Sequence, residues 1–235
     1  MIARNSRKVQ LVVSPEVRAG RMTKGLINTA SGTMITGIMR TTLHLSIIVS
    51  CMALSLGQLF AAPETYKIDP VHSTIGFKIR HLAGTVTGRF GDVNGNITVD
   101  ADHPENSSVE ATIKVASIDT ANARRDGDLK SPNFFDADKF AEMTFKSKSV
   151  KQIDKDTADV TGDLTIHGVT KEVILHVQYL GKATGMTGAP QTGWEATAKI
   201  NRTDFGLTFN KVIEGVAVVG DEVDITLDIE SDLAK

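Results

Sequence analysis

Apolar and polar residues alternate through most of the chain from Ser73 to Ile229. Ile75, Phe77 and Ile79 form one set, and Val109, Ala111, Ile113 and Val115 a second. Further sets are Val160, Leu164 and Ile166; Val173, Leu175, Val177 and Tyr179; and Val223, Ile225, Leu227 and Ile229. A period of two marks a strand with one buried face, because successive side chains point to opposite sides of a sheet. Many such strands with only one long apolar helix candidate predict a closed or sandwiched antiparallel sheet.

The residues between the alternating runs divide them into elements. A short extended segment, 66–69, is ended by Pro70. Strands are predicted over 73–81, 89–100, 107–118, 142–151, 156–166, 170–180, 193–201 and 222–230. Gly84 and Gly88 permit a bend, His167-Gly168 a tight hairpin, 182–192 an exposed loop, and 212–219 an apolar crossing segment. The alternation fails over 119–141. There Thr120 is placed to cap a short helix over 123–130, which Ser131-Pro132 ends. Phe134, Phe135 and Phe140 follow, so this helix-containing loop is a natural lid or plug. The fold class expected is all-β: a single antiparallel barrel of about eight strands, the number at which a barrel can hold one small ligand.

The ends of the chain change the picture of what folds. Leu43 to Leu56 is apolar, follows Arg40 and leads to Ala61 and Ala62, which predicts a secretory signal peptide over residues 39–62. The run is short for a membrane span, which needs about 20 residues. Residues 1–38 carry six basic side chains against Glu16 and read as a mis-annotated or disordered leader. Residues 63–235 then form one domain with 19 basic and 27 acidic side chains, net −8. That balance argues against nucleic acid or an anionic lipid surface as an electrostatic partner. Cys51, the only cysteine, falls in the signal, so the secreted domain has no disulfide, thiolate nucleophile or cysteine metal site.

Candidate chemistry is sparse. His72, His81, His103, His167 and His176 include no H-x-x-x-H pair that would align metal ligands. Arg124 and Arg125 beside Asp126 and Asp128 read as a solvated helix face, with Arg125 pairing to Asp126 or Asp136 to pin the loop. Arg80, Arg89 and Arg125 are candidates to read a phosphate head group, since a guanidinium suits phosphate. No G-x-S-x-G elbow, glycine-rich phosphate loop or dinucleotide fingerprint occurs. No catalytic residue, cofactor or metal is expected.

Five short patterns in order resemble the YceI family of secreted polyisoprenoid-binding proteins. They are Tyr66-x-Ile68-Asp69-x-x-His72-Ser73 with Phe77 and His81; Arg125-Asp126-x-x-Leu129-x-Ser131-x-x-Phe134-Phe135-Asp136; Phe145-x-Ser147; Gly162-x-Leu164-Thr165-Ile166-x-Gly168-Val169-Thr170-Lys171; and Asn201-Arg202-x-x-Phe205-Gly206. Phe140-Ala141 stands where that family tends to carry Tyr-Pro. The resemblance implies a periplasmic, lipocalin-like barrel around a long apolar tunnel. It implies a ligand among polyprenyl phosphates, isoprenoid quinones, fatty acids or amides, and other long lipids. Candidate tunnel residues are Ile75, Phe77, Ile79, Ile113, Val115, Phe145, Leu164, Ile166, Trp194 and Ile200, with Phe134, Phe135 and Phe140 closing one end. Alternation by itself fits a packed core equally well. The remaining readings are a quinone-handling accessory of a membrane cytochrome, an enzyme acting on such a lipid, and a filled structural or stress protein of the envelope. The partners expected are the lipid, a membrane cytochrome or other lipid-loading partner, and a second copy in a homodimer.

Overall fold

A computed structural model describes residues 61–186, 188–213 and 216–235. The expected leader, and the signal up to residue 60, lie outside the described residues. The elements are β1 (Glu64–Ile68), β2 (Thr74–His81), β3 (Gly84–Phe90), β4 (Val93–Val99), β5 (Ser108–Lys114), β6 (Ile118–Asp119), α1 (Ala123–Lys130), β7 (Glu142–Gln152), β8 (Thr157–Ile166), β9 (Val169–Thr184), β10 (Pro190–Asn201), β11 (Val212–Ile213), β12 (Val216–Ala217) and β13 (Val219–Leu233).

Eight strands close a ring in the order β1-β4-β5-β7-β8-β9-β10-β13, with β13 returning to β1. Every pairing in it is antiparallel. Three wall positions are broken strands. Residues 69–73, with Pro70, separate β1 from β2, yet both pair along β13: Ile68 sits opposite Ser231 and Thr74 opposite Asp228. Gly91-Asp92 separates β3 from β4, and a 3-10 turn at Val115–Ser117 separates β5 from β6. The predicted continuous strands over 89–100 and 107–118 are therefore each split. The break at 69–73 is fastened by Asp69, which accepts from the Val71 amide and pairs with His72 at 2.7 Å, and by Ser73, whose hydroxyl donates to the Glu230 carbonyl.

Hairpins differ from the sequence reading at three places. The bend expected at Gly84 and Gly88 is a turn at Leu82-Ala83, with both glycines inside β3. Gly88 faces Phe77 across the pair, and a Cβ there would lie 2.4 Å from the Phe77 ring, so the glycine makes room for the aromatic. The loop expected over 182–192 shrinks to 185–189, because β9 runs on to Thr184. The crossing segment expected over 212–219 holds a separate ribbon, β11–β12. His167-Gly168 is the hairpin expected: both residues have positive φ, 52° and 74°, between the paired Ile166 and Val169. That is the geometry of a type I′ turn.

The packed core occupies one end of the barrel. Val93, Ile113, Val115, Met143, Ile166, Phe205 and Leu207 are buried there with Ile68, Phe90 and Ile118. We call this the lower end; β1, β5, β8 and β10 begin at the upper end. Asn201, Arg202, Phe205 and Gly206 build the base. Asn201 caps a 3-10 turn by accepting from the Thr203 amide, Gly206 takes φ 79°, and Phe205 is buried. Arg202, 4% exposed, donates to the carbonyls of Gly220, Leu207 and Phe209 and pairs with Asp221 at 2.9 Å.

β7 pairs with β5 but stops short of β6, so the wall parts beside β3 and β6. α1 and residues 131–141 cover that side. Asn122 caps α1 in place of the expected Thr120, accepting from the Arg125 amide. Thr120 instead anchors the helix: Arg125 donates to its hydroxyl and carbonyl, and Asp126 accepts from its amide and hydroxyl. Arg125 and Asp126 thus pin the loop through Thr120, not through each other or Asp136.

Candidate lipid-binding lumen

Above the packed base the inward side chains do not meet. Val173, Leu175, Val177 and Tyr179 on β9, and Val223, Ile225, Leu227 and Ile229 on β13, remain only half-buried although they face the barrel axis. Their neighbours of opposite parity, such as His176, Asp224 and Asp228, are exposed on the outer wall. The space between them is one cavity of about 1240 Å³, walled by aliphatic and aromatic side chains from every strand of the ring. It exceeds the range of roughly 300–1,000 Å³ that suits drug-sized ligands.

Most of the sequence-derived tunnel residues lie on this wall. Ile75, Phe77, Ile79, Ile113, Phe145, Leu164, Ile166, Trp194 and Ile200 line it, as do Phe134 and Phe135 from the α1 loop. Val115 does not: it is 1% exposed and packed in the base, because the 3-10 turn that ends β5 rotates it out of the strand's alternation. Phe140 is also absent from the wall. Its ring meets the His167 ring edge-on, with centres 4.5 Å apart, and packs against Gly168 at the β8–β9 turn. Of the three arginines, Arg125 reaches the cavity. Arg80 lies outside, donating to the Leu82 and Ala217 carbonyls, and Arg89 pairs with Asp119 on the surface.

Charged and polar residues of the lining gather toward its two ends. Glu64, Tyr66, Tyr179, Lys182, Trp194 and Lys155 stand at the upper mouth, and His81, Arg125, Asp128, Phe134, Phe209 and Lys211 line the end nearer the base. The upper mouth holds the most organised polar group. The buried Tyr66 donates its hydroxyl to Glu64 at 2.5 Å, and Lys182 donates to both Glu64 oxygens at 2.8 and 3.1 Å. These bonds, that from Lys182 first and that from Tyr66 second, hold the Glu64 carboxyl below its usual range. Burial, then the bond to Glu64, raises the Tyr66 phenol; burial likewise raises Tyr179. Tyr179 packs on Trp194 with ring centres 4.7 Å apart, and the indole N–H donates to Thr192, which is paired in turn with Ser231.

The family pattern described as the YceI-like domain matches residues 66–231. The chain belongs to the YceI-like family. A UPF0312 protein of Pseudomonas fluorescens is 40% identical over 167 residues, covering 68% of this chain and 84% of that protein. The crystal structure of the Campylobacter jejuni YceI protein is 32% identical, with a TM-score of 0.56 over 64% of this chain and 86% of that one. A polyisoprenoid-binding domain from Saccharophagus degradans shares the fold at 17% identity and a TM-score of 0.54, covering 72% of this chain and 98% of that one.

Several wall positions of this YceI-like domain carry no motif. Tyr179, Val223, Ile225, Leu227 and Ile229 share the parity of the alternating sets, and that parity was the signal available for them. The Glu64–Tyr66–Lys182 cluster was not legible, because Lys182 falls in a stretch read as loop and meets Glu64 only through barrel closure. Among the described residues, one group has the donor types for a metal: Asp69, His72 and Glu230, with ligand atoms within 4.8 Å of one another. It sits on the outer wall at the β1–β2 break, away from the lumen. Between its two ends the lumen wall is almost wholly aliphatic and aromatic, an environment that solvates hydrocarbon.

Proposed function

We propose that this chain binds one long isoprenoid or related lipid in the lumen, as a carrier or store in the periplasm. The carrying observation is the cavity of about 1240 Å³, continuous along the barrel and apolar except at its ends. Burying hydrocarbon contributes about 0.8 kcal/mol per methylene-sized carbon, so four or five isoprene units of five carbons offer roughly 16–20 kcal/mol before costs. Association and chain ordering remove about half of this, leaving roughly micromolar affinity. No covalent step is needed. The polyisoprenoid-binding description of the Saccharophagus neighbour agrees with this ligand class. Transport by a water-soluble barrel requires the expected signal peptide to deliver the domain across the inner membrane.

Trp194 is the chain's only tryptophan and lies on the lumen wall, which makes it a native reporter. Titrating purified protein with geranylgeraniol is expected to change Trp194 emission saturably, with a midpoint of roughly micromolar order. An emission spectrum indifferent to every prenyl lipid tested would remove the support for this reading.

A further inference from the structure

At the upper mouth the acidic lining residues Glu64, Asp100 and Asp156 outnumber the basic Lys155 and Lys182. Lys182 directs donors at both Glu64 oxygens, and that contact, with a smaller one to Tyr66, raises its pKa. Its ammonium therefore stays charged and stays matched by a carboxylate. Lys155 is almost wholly in solvent beside Asp156, 4.0 Å away. Asp100 is buried and accepts from the His103 amide. What this mouth does offer is a neutral donor. Tyr179 lies half-buried on the lining with its ring on Trp194, and burial raises its phenol, which stays protonated at neutral pH. The charges of Lys182 and Glu64 act on that phenol, so it stands near their ion pair, yet its hydroxyl bonds to no described residue. Its polar neighbours are satisfied: the Tyr66 hydroxyl by Glu64, the Trp194 indole by Thr192, and Thr192 by Ser231. The packed core fills the opposite end, so the apolar tip of a bound chain finds cover there and its head is left at the upper mouth. Of the basic side chains near the base, Arg125 gives Nε and one terminal nitrogen to Thr120, and Lys211 is exposed.

We propose that the upper mouth selects lipids with an uncharged oxygen head group, a hydroxyl or carbonyl bonded by the Tyr179 hydroxyl, and that Glu64 rejects their phosphorylated forms. This rests on the lipid-binding reading above and narrows its ligand class. A phosphate head would bring negative charge up to the Glu64 carboxylate, while the cation that could balance it, Lys182, is held by Glu64 itself. Like charges brought together in this way discriminate strongly between otherwise identical ligands. A hydroxyl or carbonyl meets no such repulsion and supplies the Tyr179 hydroxyl with the acceptor it lacks. Glu64 thus sets specificity by exclusion, and Tyr179 by attraction.

The test titrates purified protein with geranylgeraniol and with geranylgeranyl phosphate, dispersed in the same nonionic detergent, and reads Trp194 emission. The phosphate is expected to bind at least about tenfold more weakly than the alcohol. Glu64→Gln leaves Lys182 charged and unmatched, so it is expected to narrow that ratio at least about tenfold, and added salt to restore it. Lys182→Met breaks the same ion pair but keeps the carboxylate, so the ratio should hold or widen. Both side chains are nearly half exposed, so neither substitution opens a gap in the core. Tyr179→Phe is expected to weaken the alcohol about threefold. Equal affinity of the unsubstituted protein for both lipids overturns the assignment. So does a ratio that Glu64→Gln leaves in place or Lys182→Met narrows, or undiminished alcohol binding by Tyr179→Phe. An emission spectrum that neither lipid moves would instead count against the lumen reading itself.

Discussion

Leu227→Trp is expected to weaken lipid binding at least about tenfold and leave the barrel's stability nearly unchanged. Leu227 sits on β13 between Ala196 and Ile75 and faces the cavity only half-buried. In a filled core the extra ring would force side chains off their rotamers at about 1–3 kcal/mol. Here it has about 1240 Å³ to enter, and it gains apolar cover by doing so. The same ring occupies the path of a prenyl chain midway along the barrel, so affinity should fall by at least about tenfold, the equivalent of 1.4 kcal/mol. Thermal denaturation and a lipid titration on one preparation check both halves. Strong destabilisation would mean that the lumen is packed, and unchanged affinity that the lipid lies elsewhere.

Arg202→Leu is expected to act chiefly on the fold, with a large loss of stability. Its guanidinium gathers the carbonyls of Leu207, Phe209 and Gly220 under the base, and leucine would leave these acceptors without their donor. Each buried group deprived of its partner costs about 1–3 kcal/mol, and loss of such a network typically totals about 3–5 kcal/mol. Asp221 is half in solvent and is released cheaply. For a domain of this size the melting temperature should fall by about 10 °C. Arg202→Lys keeps the charge but cannot reach three carbonyls in separate directions, so it should recover only part of the loss. A melting temperature within two or three degrees of the unsubstituted protein, in either variant, would contradict the clamp (roughly 1 kcal/mol on the same scale).

These two residues show what was readable in the chain and what was not. Leu227 belongs to an alternating set, and alternation specifies its face at once, since strand side chains have only two directions. Whether that face is packed or open depends on the distance across the closed ring, which no local pattern contains. The half-burial of the whole β13 set answers it. Arg202 is visible only as part of the Asn201-Arg202-x-x-Phe205-Gly206 resemblance, and its partners Leu207, Phe209, Gly220 and Asp221 all lie beyond that pattern. Parity carried through the 3-10 turn assigns Val115 to the tunnel, and proximity to Phe134 and Phe135 assigns Phe140 to its closed end. One is rotated into the base by that turn; the other is held under the hairpin by His167 and Gly168. Arg80 and Arg89 were grouped with Arg125 by charge, but β2 and β3 turn both to the outside, where backbone carbonyls and Asp119 engage them.

Native mass spectrometry of the purified protein tests the central claim most directly. The account predicts a one-to-one adduct with a prenyl lipid, either co-purified or acquired on incubation, that is stripped by organic solvent and diminished in Leu227→Trp. A spectrum holding only the bare polypeptide mass after incubation with polyprenols, polyprenyl phosphates and isoprenoid quinones would contradict it.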